Sequence, residues 1–296
     1  MAGCRFALLA GVVFTLLGAA PPLSGIPASE GISASLTAHL DARADGGAPL
    51  ERRLDLWFAR RDSPSAVRTF AVDMTKRLHL IIVSDDFRTF LHVHPVLGGD
   101  GHFTVGQRFP HPALYHLYAD AVPAGYGHCV FRFDLRVGAA PAVARDLRPT
   151  GPRVAAGPYV VTLDRLKLHA GAENRIAVSV TRAGHPAADL RAYLGAPAHA
   201  VFLGGKTLAY EHVHPVAAGS VGASMDMPGM DMPGMDMTAG GMPGGGMAAQ
   251  PLPPQARVAP DMVLHVLVRQ SGRYKLWLQL RGSTGLFVAP FVLDAD

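Results

Sequence analysis

The sequence predicts an all-β protein built from two tandem antiparallel immunoglobulin-like β-sandwich domains related by internal duplication. Three observations carry this. Short alternating or β-branched segments recur between turn residues, no window of helical length shows a 3.6-residue apolar stripe, and one histidine-bearing hairpin occurs twice.

The duplication organises everything else. Leu78-His79 through His94-Pro95 matches Ala198-His199 through His214-Pro215 at a constant offset and without a gap. His79 falls on His199, Phe90 on Tyr210, His92 on His212, His94 on His214 and Pro95 on Pro215. Upstream, Phe70 meets Leu190 and Met74 meets Leu194. After an insertion, Tyr115-His116-Leu117-Tyr118 matches Tyr274-Lys275-Leu276-Trp277, and Phe133-Asp134-Leu135 matches Phe291-Val292-Leu293.

From the N-terminus, residues 1–28 read as an export signal. Arg5 precedes an apolar run from Phe6 to Ala20, which has the length of a signal h-region rather than of a membrane span. Ile26 and Ala28 would fill the specificity positions of a cleavage near Ala28, and an uncleaved anchor is the alternative. The expected location is extracytoplasmic, secreted or periplasmic. The first sandwich covers residues 30–138, with strand candidates at Arg53–Phe58 and Tyr115–Tyr118 and a turn at Arg61-Asp62-Ser63-Pro64. Residues 139–156, rich in Ala, Pro and Gly, read as a linker. The second sandwich covers residues 157–296, with strands at Ile176–Val180 and Tyr274–Leu278, a turn at Ala183-Gly184-His185-Pro186, and a Met-rich insert over residues 217–257.

Composition narrows the function. Lys and Arg number 27 against 23 Asp and Glu, interspersed along the chain, so no basic nucleic-acid footprint is present. Removal of the signal leaves Cys129 alone, so the fold rests on its cores and not on a disulfide. Cys129 lies in His128-Cys129-Val130-Phe131 and aligns with Phe287, which favours a core position over a metal ligand.

The hairpins carry the chemistry. Residues two apart on a strand share a face, so His92 and His94 project together. A hairpin centred on Asp85-Asp86 sets His79 directly opposite His92, and one centred on Gly205-Lys206 sets His199 opposite His212. Each domain then gathers three imidazoles on one patch: His79, His92 and His94, then His199, His212 and His214. Three convergent imidazoles suit Cu, Zn, Ni or Fe with an open position. An odd number of loop residues would send the histidines to opposite faces. His116 is replaced by Lys275 and His265 has no counterpart, so neither is a shared ligand.

The insert repeats Met-Asp-Met-Pro-Gly, placing Met225, Met227, Met230, Met232, Met235 and Met237 among Gly and Pro, with Met242 and Met247 beyond. Such a segment has no means of packing a core and is expected to be a mobile loop. Thioethers are soft donors that select Cu(I) and need no deprotonation. A greasy partner-binding surface is the rival reading of the same residues.

The hairpin Arg77-Leu78-His79-Leu80-Ile81-Ile82-Val83 through Phe90-Leu91-His92-Val93-His94-Pro95 resembles that of exported bacterial β-sandwich proteins of the YtkA/FixH-like kind, as does Leu190-Arg191-Ala192-Tyr193-Leu194-Gly195-Ala196 before the second hairpin. The resemblance covers most of both domains and implies the fold and export. The Met-rich loop is similar in composition to those of periplasmic copper-resistance proteins such as CopC. Together these readings predict an exported copper- or heavy-metal-binding protein for sequestration, resistance or delivery, with a membrane-bound metal transporter or acceptor protein as a candidate partner. The alternative is a non-catalytic partner-binding sandwich whose histidines are structural. An enzyme is not expected: no glutamate follows either His-x-His at the cupin distance, and neither Gly-x-Ser-x-Gly nor His-Glu-x-x-His occurs.

Overall fold

The structure, a computed structural model, describes residues 21–45, 47–218 and 251–296. All regular structure among these residues is strand, arranged as two tandem sandwiches. In the first, one sheet runs Leu23–Ser24, Leu36–Ala44, Glu51–Arg60, Phe103–Arg108, Val96–Leu97, and the facing sheet runs Ile26–Pro27, Cys129–Val137, Ala113–Ala121, Leu78–Ser84, Phe90–Val93. The second repeats the plan. Its outer sheet runs Arg153–Ala156, Tyr159–Leu163, Glu173–Arg182, Asp261–Leu267, Val216–Ala217. Its inner sheet runs Lys167–Leu168, Gly285–Ala295, Gly272–Gly282, His199–Gly204, Tyr210–Val213. All these pairings are antiparallel except that of Lys167–Leu168 with Gly285–Ala295.

Alternation builds each core. Leu54, Leu56 and Phe58 point inward from one sheet of the first domain to meet Leu80, Ile82, Leu117 and Phe131 of the other. Ile176, Val178 and Val180 do the same in the second, against Phe202, Leu276 and Phe291.

A third apolar cluster joins the domains. Every residue of Leu78–Ser84 and of His199–Gly204 is buried. Leu78, Leu80 and Ile82 enter the first core, while Ile81 and Val83 leave the opposite face and pack with Val201 and Leu203 of the second domain. The contact is itself pseudo-symmetric. Tyr118 of the first domain stacks on Tyr210 of the second, with centroids 4.6 Å apart, and Trp277 of the second stacks on Phe90 of the first at 5.5 Å. Each fully buried aliphatic side chain is worth about 1.5–3 kcal/mol, so this joint is a fixed one. The two central strands therefore face apolar surroundings on both sides, which antiparallel strands of an isolated sandwich do not.

The hairpin register differs from the expected one. Ile81 pairs with His92 and Leu80 with Val93; Val201 pairs with His212 and Ala200 with Val213. Continuing each ladder sets His79 against His94 and His199 against His214, not against His92 and His212. The cause is loop length: Ser84 closes on Thr89 and Gly204 on Ala209, which leaves four-residue loops. In the first, Phe87 adopts a left-handed conformation (φ 60°) and buries its ring edge-on against Trp277. The displacement is by two residues, an even number, so each triad keeps its common face.

Strand pairing and packing also reach across three of the expected segment limits. Residues 1–20 of the expected export signal lie outside the described residues, but Leu23–Ser24 and Ile26–Pro27 pair with one sheet each of the first sandwich. The chain crosses between the sheets at Gly25, where a Cβ would come within 3.1 Å of Phe131 and Ala38. Arg153–Ala156, inside the stretch read as a linker, pairs with Tyr159–Leu163 as the first hairpin of the second domain. Its alanines gave it no strand signature. Residues 251–257, read as part of the insert, dock on the second domain: Leu252 and Ala256 pack against its core, and the Leu252 N–H donates to the Gly195 carbonyl.

Candidate metal centre

The faces that the two histidine strands turn toward each other carry His79 and His92 from one side and His199 and His212 from the other, with His94 and His214 half-buried beside them. The two patches expected on separate domains thus form one chamber of six imidazoles. Ring centroids of His92 and His199 are 5.1 Å apart across the joint, and those of His92 and His212 and of His79 and His212 are 5.5 Å apart.

Within the first triad, His79 Nδ1 lies 2.9 Å from His92 Nε2, and His94 Nε2 lies 3.1 Å from the same atom. Within the second, His199 Nδ1 lies 3.2 Å from His212 Nε2 and 3.0 Å from His214 Nε2. Two sets converge tightly enough for one ion each: His79, His92 and His199 across the joint, and His199, His212 and His214 within the second domain, all ligand atoms of a set lying within 4.8 Å of one another. Imidazole nitrogens on one tetrahedral ion sit about 3.3 Å apart when each metal–nitrogen bond is about 2.0 Å, close to the 3.2 and 3.0 Å that separate His199 Nδ1 from His212 and His214.

The outward-facing nitrogens determine where the protons are. His79 Nε2 lies 3.1 Å from the Asp73 carbonyl and His199 Nε2 lies 3.0 Å from the Tyr193 carbonyl. A carbonyl only accepts, so each ring spends its N–H there and turns a lone pair inward. The acceptors are held by equivalent turns, Asp73–Lys76 and Tyr193–Ala196, whose central residues Met74, Thr75, Leu194 and Gly195 all have positive φ. Gly195 is required twice over, because a Cβ would come within 2.8 Å of Pro251 and 3.1 Å of Thr75.

His92 and His212 are oriented by the opposite domain. His92 Nδ1 lies 2.9 Å from Gln279 Oε1, and His212 Nδ1 lies 3.1 Å from Asp120 Oδ2. Asp120 and Gln279 occupy matching ladder positions, opposite His79 and His199 respectively. His212 donates outward, because a carboxylate only accepts, and presents its Nε2 lone pair inward, whereas the Gln279 amide is able to accept from or donate to His92 Nδ1. His199 Nδ1 and His212 Nε2 are then two lone pairs in contact at 3.2 Å. A cation between them resolves that repulsion.

Electrostatics favour the neutral form of His79, His92, His94, His199 and His214. Burial, with repulsion from neighbouring imidazoles, holds His92 and His199 far below the ordinary histidine value and lowers His79. The same causes push His94 and His214 down to about 3. Burial alone would raise Asp120, but hydrogen bonds from His128 (2.6 Å) and His212 outweigh it and hold the carboxyl well below the usual range. Asp120 also accepts from the Tyr210 hydroxyl at 3.3 Å. Neutral imidazole is the form that binds metal.

The other expected donors stand apart. Met225, Met227, Met230, Met232, Met235 and Met237 lie outside the described residues. The flanks of their segment are described. Ala218 bonds to Asp261 four residues after His214, and Leu252 bonds to the turn that holds His199. Cys129 is buried in the first core, where burial pushes its thiol up to about 12. His116 is clamped between Asp134 (2.7 Å) and Asp85 (2.9 Å), and His265 bonds to Glu173.

Sequence reasoning missed that the two triads meet, and it missed Asp120 and Gln279. The first had a signal: Leu80-Ile81-Ile82-Val83 and Ala200-Val201-Phe202-Leu203 are unbroken apolar runs, the mark of strands covered on both faces. The second had none, because the partners act across the duplication. The family profile of a domain of unknown function (DUF8832) matches residues 32–138 and again residues 153–296. No curated protein sequence matches the chain.

Proposed function

The chain belongs to the family of the domain of unknown function (DUF8832), which it contains twice, and from the chamber between the two copies we propose that it is an exported, non-catalytic copper-binding protein. The observation that carries this reading is the contact of His199 with His212. The Tyr193 carbonyl and the Asp120 carboxylate take their outward N–H groups and leave His199 Nδ1 and His212 Nε2 3.2 Å apart with no hydrogen between them. A histidine cluster that served only to join the domains would place a donor between these two nitrogens.

Copper is favoured by the donor set. Imidazole takes Cu(II), Zn(II) and Ni(II), with Cu(II) bound most tightly among divalent first-row ions, and thioether selects Cu(I). The Met-Asp-Met-Pro-Gly repeats follow His214 closely in the sequence, and the described residue Leu252 beyond them bonds to the turn that holds His199. In this reading the repeats capture Cu(I) and the chamber stores it, for sequestration or for transfer to a membrane-bound transporter or acceptor. The YtkA/FixH-like resemblance and the apolar N-terminal run support export.

The full chain, titrated with Cu(I) and Cu(II) against competing chelators, should bind both. Deleting residues 225–247 should weaken Cu(I) binding far more than Cu(II) binding. Failure to bind either ion more tightly than a variant with all six histidines replaced by alanine would overturn the reading.

A further inference from the structure

We infer that the two triads are unequal metal sites filled in order, with His199, His212 and His214 binding the first ion because Asp120 backs them, and His79, His92 and His94 binding a second, weaker one. This rests on the metal-binding reading above. The chamber has near two-fold symmetry in its histidines, in its turns and in its flanking aromatic pairs. At the matching position beside each triad that symmetry breaks. Asp120 reaches His212, and Gln279 reaches His92.

Three observations assign the order. First, a carboxylate bonded to a ligating imidazole raises its basicity and fixes its tautomer, an effect usually worth 10–100-fold in metal affinity. An amide carries no charge and offers a donor as readily as an acceptor, so it fixes His92 less firmly. Second, Asp120 supplies a formal negative charge buried beside both triads, and among the six histidines its hydrogen bond goes to His212 of the second. Third, the compact set on the first-domain side borrows His199, whereas the second-domain set is complete in itself. Once His199 is engaged there, His79 and His92 are left with His94, 3.1 Å from His92.

The prediction is a specific pattern of occupancy. Cu(II) titrated into the full chain should bind in two unequal steps. Its paramagnetic resonance signal, with nitrogen hyperfine structure, should grow through the first equivalent. It should then fall as the second ion enters, since triads whose rings lie 5–6 Å apart place two ions within magnetic coupling distance. Asp120→Asn, which keeps the shape, should weaken the first step 10–100-fold and leave the second nearly unchanged. Gln279→Glu should tighten the second step.

The half-buried ligands give a test that does not depend on altering a buried charge. His214→Ala should remove the tight step, and His94→Ala the weak one. Two equal steps, a single ion per chain, or an Asp120→Asn variant that binds as the native protein does would overturn the ordered filling while leaving metal binding intact. Absence of any copper binding would overturn the reading beneath it.

Discussion

The two halves of the molecule carry the same three histidines at the same ladder positions, yet they differ in what stands behind them. The first-domain triad is steadied by the neutral Gln279, the second by the ionised Asp120, and only the second is followed by a methionine-bearing insertion. One ring of each triad, His92 or His212, is oriented from the other domain, while His79 and His199 are held by carbonyls of their own. Duplication supplied the ligands, and the apposition of the copies supplied the partners behind His92 and His212. One position of difference is then enough to separate two sites whose ligands are identical in kind.

The comparison breaks most visibly at His199, which belongs to both compact ligand sets. His199→Ala should lower copper affinity by more than 100-fold, as loss of a shared ligand exceeds the 10–100-fold cost of losing one outer-shell partner. His79→Ala should cost less, because the second-domain triad stays whole. A competition titration of the two variants side by side measures the gap. Equal losses would show that the halves act as one undivided site.

The joint should resist change almost as strongly. Trp277 is 3% exposed, stacked on Phe90 and edge-on to Phe87. Trp277→Ala should destabilise the protein by about 3–5 kcal/mol, the usual cost of emptying a large aromatic site, read as a lower urea midpoint. Tyr118→Ala, on the other side of the pseudo-axis, removes a stacking partner of Tyr210 and should cost a similar amount. A marked inequality would locate the weaker half of the interface.

Particular residues show why some of this was legible in the sequence. The fold followed from alternation, as in Leu54, Leu56 and Phe58, and the duplication from His79, His92 and His94 recurring with Pro95. Side-chain parity places each triad on one face even with the register displaced by two residues, because an even slip preserves faces. What the sequence concealed depends on contacts between distant segments. Nothing local marks Asp120 as the partner of His212, and nothing in Phe87 announces the left-handed turn that lengthens its loop. Arg153–Ala156 is a strand only because Tyr159–Leu163 pairs with it.

Acidity should act on both halves together. His94 and His214 titrate near 3 when folded, against an ordinary value of 6.5. Between those values the unfolded chain binds protons that the folded chain refuses, so stability rises with pH across that window. The metal-free protein should keep the full contribution above about pH 6.5 and lose it progressively on acidification toward pH 3. Thermal midpoints measured between pH 7 and pH 4 should fall for the native chain and fall less for His94→Ala/His214→Ala. Copper should flatten the slope near neutrality, because bound metal holds the rings deprotonated.

The smallest effect concerns the strap between the halves. Arg145 donates to Asp85 of the first domain (2.7 Å) and to the Gly205 carbonyl of the second (2.7 Å), and Lys275 reaches back to the Asp146 carbonyl. Residues that composition marks only as a linker are thus tied to both sandwiches beside the buried joint. Arg145→Ala removes a partly buried charged hydrogen bond, for which about 1–2 kcal/mol is expected, but Asp85 keeps His116 as a partner and is not left bare. The loss should appear in urea denaturation while copper affinity stays within twofold of native, because the strap touches none of the six imidazoles. A large fall in affinity with unchanged stability would mean instead that the strap, and not the apolar joint, sets the spacing of the two triads.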